Sequence, residues 1–204
     1  VQTLRMALDP LAFVEPLLSR DSARQALQLP VATGVMLGAV GRLVESKGFE
    51  MLIEAFARAS THQPDLQLAI IGEGPLHAVL QARIDALGLA ARVHLCGHRE
   101  DLQQLYRAFD WLLVPSRSEG LGLVVQEAVM ADVPVVCSDL QVFREQLQDT
   151  GGYLPVADEG AWAEAIERCT SLSARTVAAR QRQALAPEQA WQAFCNGSQS
   201  LLRN

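Results

Sequence analysis

Trp111-Leu112-Leu113-Val114-Pro115-Ser116-Arg117-Ser118-Glu119-Gly120-Leu121-Gly122-Leu123-Val124-Val125-Gln126-Glu127-Ala128 joins three unlike pieces. Four apolar residues in a row read as a strand buried on both faces, the kind found in parallel sheets. A polar turn bearing two glycines follows, and the run to about residue 131 has helical spacing. Strand, loop and helix in that order form the repeating unit of an α/β fold. The unit recurs from about residue 34 onward. Strands are expected at Val35 to Val40, Leu66 to Ile71, Val93 to Leu95, Trp111 to Val114, Val133 to Cys137 and Tyr153 to Val156. Helices are expected near 48 to 60, 75 to 87, 99 to 108, 121 to 131, 140 to 148 and 159 to 172. The pattern predicts a doubly wound, Rossmann-like parallel sheet spanning 31–186. Residues 1–30, with a short helix near Ser22 to Leu29, read as a lead-in. After Pro187, the spacing of Ala190, Trp191, Phe194, Leu201 and Leu202 predicts a final helix over 187–204 with an apolar stripe.

The composition fits that reading. Half of the 204 residues are hydrophobic, enough for a real core, and the formal charge is -6. Such a balance offers no basic surface to a nucleic-acid backbone, so any anion must be held locally. Cys96, Cys137, Cys169 and Cys195 are widely spaced with no C-x-x-C pair, which reads as reduced thiols in the cytoplasm. No apolar run reaches the roughly 18 to 20 residues of a membrane span. Of the 17 basic residues, Lys47 is the only lysine.

Open sheets of this kind bind ligands at the carboxyl ends of their strands, so the loops there carry the most information. Gly41-Arg42-Leu43-Val44-Glu45-Ser46-Lys47-Gly48 follows the first strand. A pair of cations beside free amides suits a diphosphate, although the residues also fit a turn with two solvated charges. The spacing is not that of a P-loop. Gly72-Glu73-Gly74-Pro75 reads as turn chemistry, with Pro75 opening the next helix. In Gly97-His98-Arg99, Arg99 either faces a base or phosphate or is solvated at a helix start. His94, Cys96 and His98 alternate, but no fourth metal ligand is apparent, and such residues within strands are usually core. In the loop after the fourth strand, Gly120 and Gly122 would leave helix amides bare for an anion, and Glu119 and Glu127 stand eight apart. Carboxylates beside a phosphate site would repel the ligand unless they accept hydrogen bonds from its hydroxyls. Their structural alternatives are a capping acid and a helix-surface charge.

In order along the chain, G-R-x-x-x-x-K-G, G-E-G-P, the Y-R-A-x-D-x-x-L-x-P-S run from Tyr106 to Ser116, E-G-x-G-L-V-x-x-E-A and P-V-V from Pro134 to Val136 resemble the retaining glycosyltransferases of family 4. The resemblance is strong over about residues 34 to 155. It implies the C-terminal, donor-binding half of a two-domain GT-B fold, with 187–204 as the helix that crosses back onto an N-terminal acceptor half, leaving Trp191 or Phe194 partly uncovered here. It also implies that Arg42, Lys47 and the amides of Leu123 and Val124 hold the diphosphate. Glu127 would take the ribose hydroxyls, and Glu119 with Gly120, Leu121 and Gly122 the transferred sugar. Gly97, His98 and Arg99 would lie near the base.

The implied reaction transfers a sugar from a nucleotide sugar with retention, without a metal or resident cofactor. Its implied setting is surface polysaccharide, lipopolysaccharide or glycolipid synthesis in the cytoplasm, with any peripheral membrane association coming through the acceptor half. Leu121 stands where Phe is commoner, and Asp132 where Gly is; Asp tolerates the left-handed conformation that a helix end requires. A sugar-nucleotide epimerase, a Rossmann dehydrogenase and a non-catalytic nucleotide-binding module share the architecture. The dehydrogenase fingerprint is absent, since the first turn reads Gly38-Ala39-Val40-Gly41-Arg42.

Overall fold

The computed structural model describes residues 6–31 and 34–202, without the side chains of residues 200–202. The expectations for Leu201 and Leu202 as part of an apolar stripe, and for residues 1–5 of the lead-in, lie outside what it describes. The elements in chain order are α1 (Pro10–Val14), α2 (Arg20–Ala26), β1 (Met36–Val40), α3 (Phe49–Ala59), β2 (Gln67–Ile71), α4 (His77–Ala86), β3 (Val93–Leu95) and α5 (Leu102–Leu105). There follow β4 (Trp111–Val114), α6 (Leu123–Met130), β5 (Val135–Ser138), α7 (Gln141–Leu147), β6 (Gly152–Leu154), α8 (Glu159–Cys169), α9 (Ala174–Leu185) and α10 (Pro187–Leu202). The six strands are parallel and ordered β3-β2-β1-β4-β5-β6, the order of a dinucleotide-binding sheet.

Alternate residues of each strand feed two separate cores. Leu37, Ala39, Leu68, Ile70, Trp111 and Leu113 pack on the side of α3, α4 and α8. Met36, Ala69, Ile71, Leu112 and Val114 pack with residues of α2, α6 and α7. Both faces of the central strands are covered, so these read as nearly unbroken apolar runs, while the edge strands β3 and β6 are only half-buried.

The departures from the sequence reading have local causes. β5 starts at Val135 because the Val133 amide closes the end of α6 on the Ala128 carbonyl. Pro134 contributes only its carbonyl, to the Leu112 amide at 2.8 Å. β6 covers 152–154 and ends before Pro155. Pro75 does not open α4. It sits in a turn, and the Leu76 amide is taken by the Leu43 carbonyl, so the helix begins at His77. The helix expected over 99–108 is one short helical turn followed by a 3-10 turn at Tyr106–Ala108.

α9 was not foreseen. Its inward face carries Ala178 and the buried Gln181, which donates to and accepts from the Val135 backbone at 2.8 Å, so a polar residue interrupts the stripe that Ala174, Val177 and Leu185 would otherwise continue. α1 also lies within a stretch read as lead-in, begun by Asp9, whose side chain accepts from the Leu11 and Ala12 amides. Asp132 does adopt a left-handed backbone, φ 64°, after α6. Trp191 and Phe194 stack on each other, half-buried, on α10, which packs against α1. No helix among the described residues is long and apolar enough to cross a membrane.

Candidate functional site

With β1 and β4 side by side, the winding of the sheet reverses between them, and the crevice beyond their carboxyl ends is where such folds place a ligand. The two loops that leave there touch. The Arg117 amide donates to the Ser46 carbonyl at 2.7 Å. A Cβ at Gly48, whose φ is 71°, would stand 2.3 Å from the Pro115 carbonyl oxygen, so only glycine permits this approach. Across the contact the Lys47 ammonium pairs with Glu119 Oε1, and the buried Ser116 hydroxyl donates to the same oxygen at 2.8 Å. The Lys47 and Glu119 side chains keep 21% and 11% exposure, so the pair is sheltered but reachable.

Gly122 caps α6 in the left-handed region, φ 60°, where a Cβ would strike the Phe143 ring at 2.6 Å. It has no side chain to cap the helix, so the amides of Leu123 and Val124 in the first turn take no acceptor from it. A Cβ at Gly120 would meet nothing, and Leu121 is 52% exposed at the same turn.

On the other side of β1 lies a cleft of about 470 Å³, lined by Val40, Gly41 and Arg42, by Ile71, Gly72 and Glu73, and by His98, Arg99 and Leu102. Arg42 and His98 are exposed on it. Gly97 does not line the cleft itself; its carbonyl accepts from the amide of the lining Gly72 at 2.8 Å. Arg99 borders the cleft, but its guanidinium is engaged, donating to both oxygens of Asp101 at 2.8 and 2.7 Å and to the Ala26 carbonyl at 2.9 Å. That pairing holds the Asp101 carboxyl below the ordinary range and raises Arg99.

Glu127 stands apart, one turn into α6. Its Oε2 accepts from the hydroxyl of Tyr106, which is completely buried. Burial pushes the Glu127 carboxyl up while the tyrosine's hydrogen bond pulls it down. Burial also raises the Tyr106 hydroxyl well above its ordinary value, as does the neighbouring carboxylate, so it stays a proton donor. The alternation of His94, Cys96 and His98 does not become a metal centre. His94 Nε2 meets Gln67 Oε1 at 2.9 Å, and burial raises the Cys96 thiol to about 11. No group of three or more His, Cys, Asp or Glu among the described residues is placed to hold a metal ion.

Of the expected residues, the charged ones and His98 thus fall into three groups: the cleft with Arg42, His98 and Arg99, the pair Lys47–Glu119, and Glu127 at α6. Sequence reading missed Ser116, Tyr106 and Glu73 as participants. Ser116 and Tyr106 lay within the quoted run, but their contacts follow from side-chain reach between elements, which spacing does not encode.

The crystal structure of Anabaena HepE in complex with UDP and glucose superposes with a TM-score of 0.82 at 24% identity, covering 98% of this chain and 56% of that one. The C-terminal domain of a group 1 family glycosyl transferase from Francisella tularensis matches with a TM-score of 0.77 at 23% identity, over 88% of this chain and 97% of that one. Both likenesses establish the fold, that of GT-B glycosyltransferases. In sequence, the D-inositol 3-phosphate glycosyltransferase of Corynebacterium diphtheriae is 34% identical over 158 residues, 72% of this chain and 37% of that protein. The chain therefore spans little more than a third of that relative's length. Residues 34–171 match the profile of the glycosyl transferases group 1, and the chain belongs to that family.

Proposed function

We propose that the chain is the nucleotide-sugar-binding half of a retaining, metal-independent glycosyltransferase. The observation that carries the reading is the meeting of Lys47 and Glu119 at the β1/β4 switch point, beside a cleft walled by Arg42. A diphosphate lying between cleft and α6 would meet Arg42, Lys47 and the amides of Leu123 and Val124, which neutralise charge without a divalent cation. The base would occupy the cleft near His98 and Glu73, the ribose hydroxyls would reach Glu127, and the transferred sugar would face Glu119 and the 120–122 turn. As the anomeric carbon–oxygen bond breaks, the diphosphate leaves carrying the electron pair. The acceptor hydroxyl attacks on the same face and yields its proton to the departing phosphate oxygen. The acceptor half, supplied by the rest of a longer protein, holds that hydroxyl and makes any membrane contact. The setting is the synthesis of a surface polysaccharide, lipopolysaccharide or glycolipid.

Titration calorimetry of the 204-residue chain with UDP, ADP and GDP, each with and without EDTA, tests this. One diphosphate is expected to bind with the same affinity in both buffers, and the corresponding nucleotide sugar is expected to bind without transfer to an added acceptor. Absence of binding by all three, or binding abolished by EDTA, overturns the reading.

A further inference from the structure

Glu127 has two carboxylate oxygens in unlike surroundings. Oε2 is taken by the Tyr106 hydroxyl. Oε1 takes no hydrogen bond from the described residues, and it is not among the buried atoms left without a partner, which are Gln63 Oε1, Ser138 Oγ and Gln146 Oε1. It is therefore not sealed from solvent. Tyr106 itself cannot drift, because its ring lies in the core with Phe13, Leu105 and Val125, its centroid 6.2 Å from that of Phe13. It comes from the 3-10 turn at 106–108, on a different element from Glu127, and reaches across to α6. A glutamate on a helix would otherwise sample several rotamers. Tied at Oε2 to a fixed phenol, it is held in one orientation, with Oε1 free of any hydrogen bond from the described residues.

We propose that Tyr106 is the positioning residue for the ribose: by holding Oε2 it presents Glu127 Oε1 as a fixed acceptor for the two sugar hydroxyls of the nucleotide. The inference rests on the proposed donor-binding function. Tyr106 touches no ligand, and its contribution is the orientation it imposes before binding, which removes a cost that binding would otherwise carry.

The test separates positioning from general damage by changing the ligand rather than only the protein. Tyr106→Phe keeps the ring and removes the hydroxyl. The chain and this variant are titrated with UDP, ADP and GDP and with the 2′,3′-dideoxy counterpart of whichever binds most tightly. The variant is expected to bind the ribonucleotide about tenfold more weakly. Its affinity for the dideoxy form, which offers Glu127 no hydroxyl, is expected to match that of the unmodified chain. In a Glu127→Gln background, Tyr106→Phe is expected to leave the ratio of the two affinities unchanged. Equal weakening of both ligands means that the phenol only supports the core, and no weakening of either means that it does nothing for binding. Each result overturns the proposal. Failure of the underlying reading is distinct, because the unmodified chain would then bind none of the three diphosphates. Thermal unfolding of each variant shows whether it is folded, and Tyr106→Leu, which loses ring and hydroxyl together, is expected to lose stability as well as the ratio.

Discussion

The amino and carboxyl edges of the sheet both carry an ion pair that joins distant parts of the chain, and the two are built differently. At the amino edge Arg24 is fully buried. It donates to the Ala108 carbonyl at 2.8 Å, the Val31 carbonyl at 3.2 Å and Asp110 at 2.9 Å, while Asp110 also accepts from the Met36 amide at 2.7 Å and pairs with Arg20. Carbonyls and a carboxylate surround that guanidinium, as burying a charge requires. At the carboxyl edge, Lys47 and Glu119 are joined with some exposure left on each, and Glu127 keeps one oxygen without a hydrogen bond from the described residues. Asp110 and Arg20 keep 21% and 50% exposure, but Arg24, between them and the backbone, is closed off from solvent, and a network closed in this way holds the fold. An open one can exchange its partners for a ligand's.

The largest effect should come from breaking the closed edge. Asp110→Ala strands a buried arginine and leaves the first amide of β1 without its acceptor, so stability should fall by about 3 to 5 kcal/mol in urea unfolding. Asp110→Asn, which retains an acceptor oxygen, should lose distinctly less. The comparison fails if both variants unfold like the unmodified chain.

Breaking the open edge should cost binding instead. Lys47→Ala removes a diphosphate cation and leaves Glu119 facing the phosphates, for a loss of about 2 to 3 kcal/mol in affinity with little change in unfolding. Adding Glu119→Gln to that variant removes the repulsion and should return part of the affinity. Glu119→Gln alone should leave diphosphate binding nearly intact but abolish the extra affinity of an intact nucleotide sugar, as calorimetry with each ligand would show. A Lys47→Ala chain that binds as before would make the pair a structural clasp.

The contrast between the edges was only half legible in the sequence. Continuous apolar runs located the four central strands, because burial on both faces leaves that trace, the half-buried edge strands β3 and β6 carried only short ones, and motif order located the carboxyl-edge loops. The amino-edge network left no trace. Arg24 occupied what looked like a lead-in, and Asp110 was one letter of a motif. Their meeting depends on α2 folding beneath β1 and β4. The same limit hid Ser116 and Tyr106, and Gln181 hid a whole helix by placing a polar residue where periodicity demands an apolar one. Arg99 is the opposite case, since it lines the cleft while its charge proved to be engaged by Asp101 two residues away.

The smallest effect expected is one of pH, and it bears on whether the open oxygen of Glu127 is used. Burial raises this carboxyl above the ordinary glutamate value of about 4.3, with Tyr106 opposing. The ionised form accepts from ribose hydroxyls, so a ligand that uses it binds the ionised protein more tightly. As pH falls through the raised value the carboxyl takes a proton, and affinity must fall with it, by about twofold at the onset and approaching tenfold per unit further down. Free nucleoside diphosphates confuse the measurement because a terminal phosphate takes up its own proton near pH 6, as phosphate monoesters do. An intact nucleotide sugar has no such group, and is the right probe. The cleft wall, His98 included, is common to the unmodified chain and Glu127→Gln, so what it contributes cancels in the ratio of their affinities. That ratio should be largest well above the raised value and shrink towards one as pH falls through it into the ordinary glutamate range, because protonated glutamate and glutamine are near equivalents. A ratio that is flat across the range would mean that Glu127 meets no hydroxyl of the ligand, and that its bond to Tyr106 belongs with the closed network at the other edge.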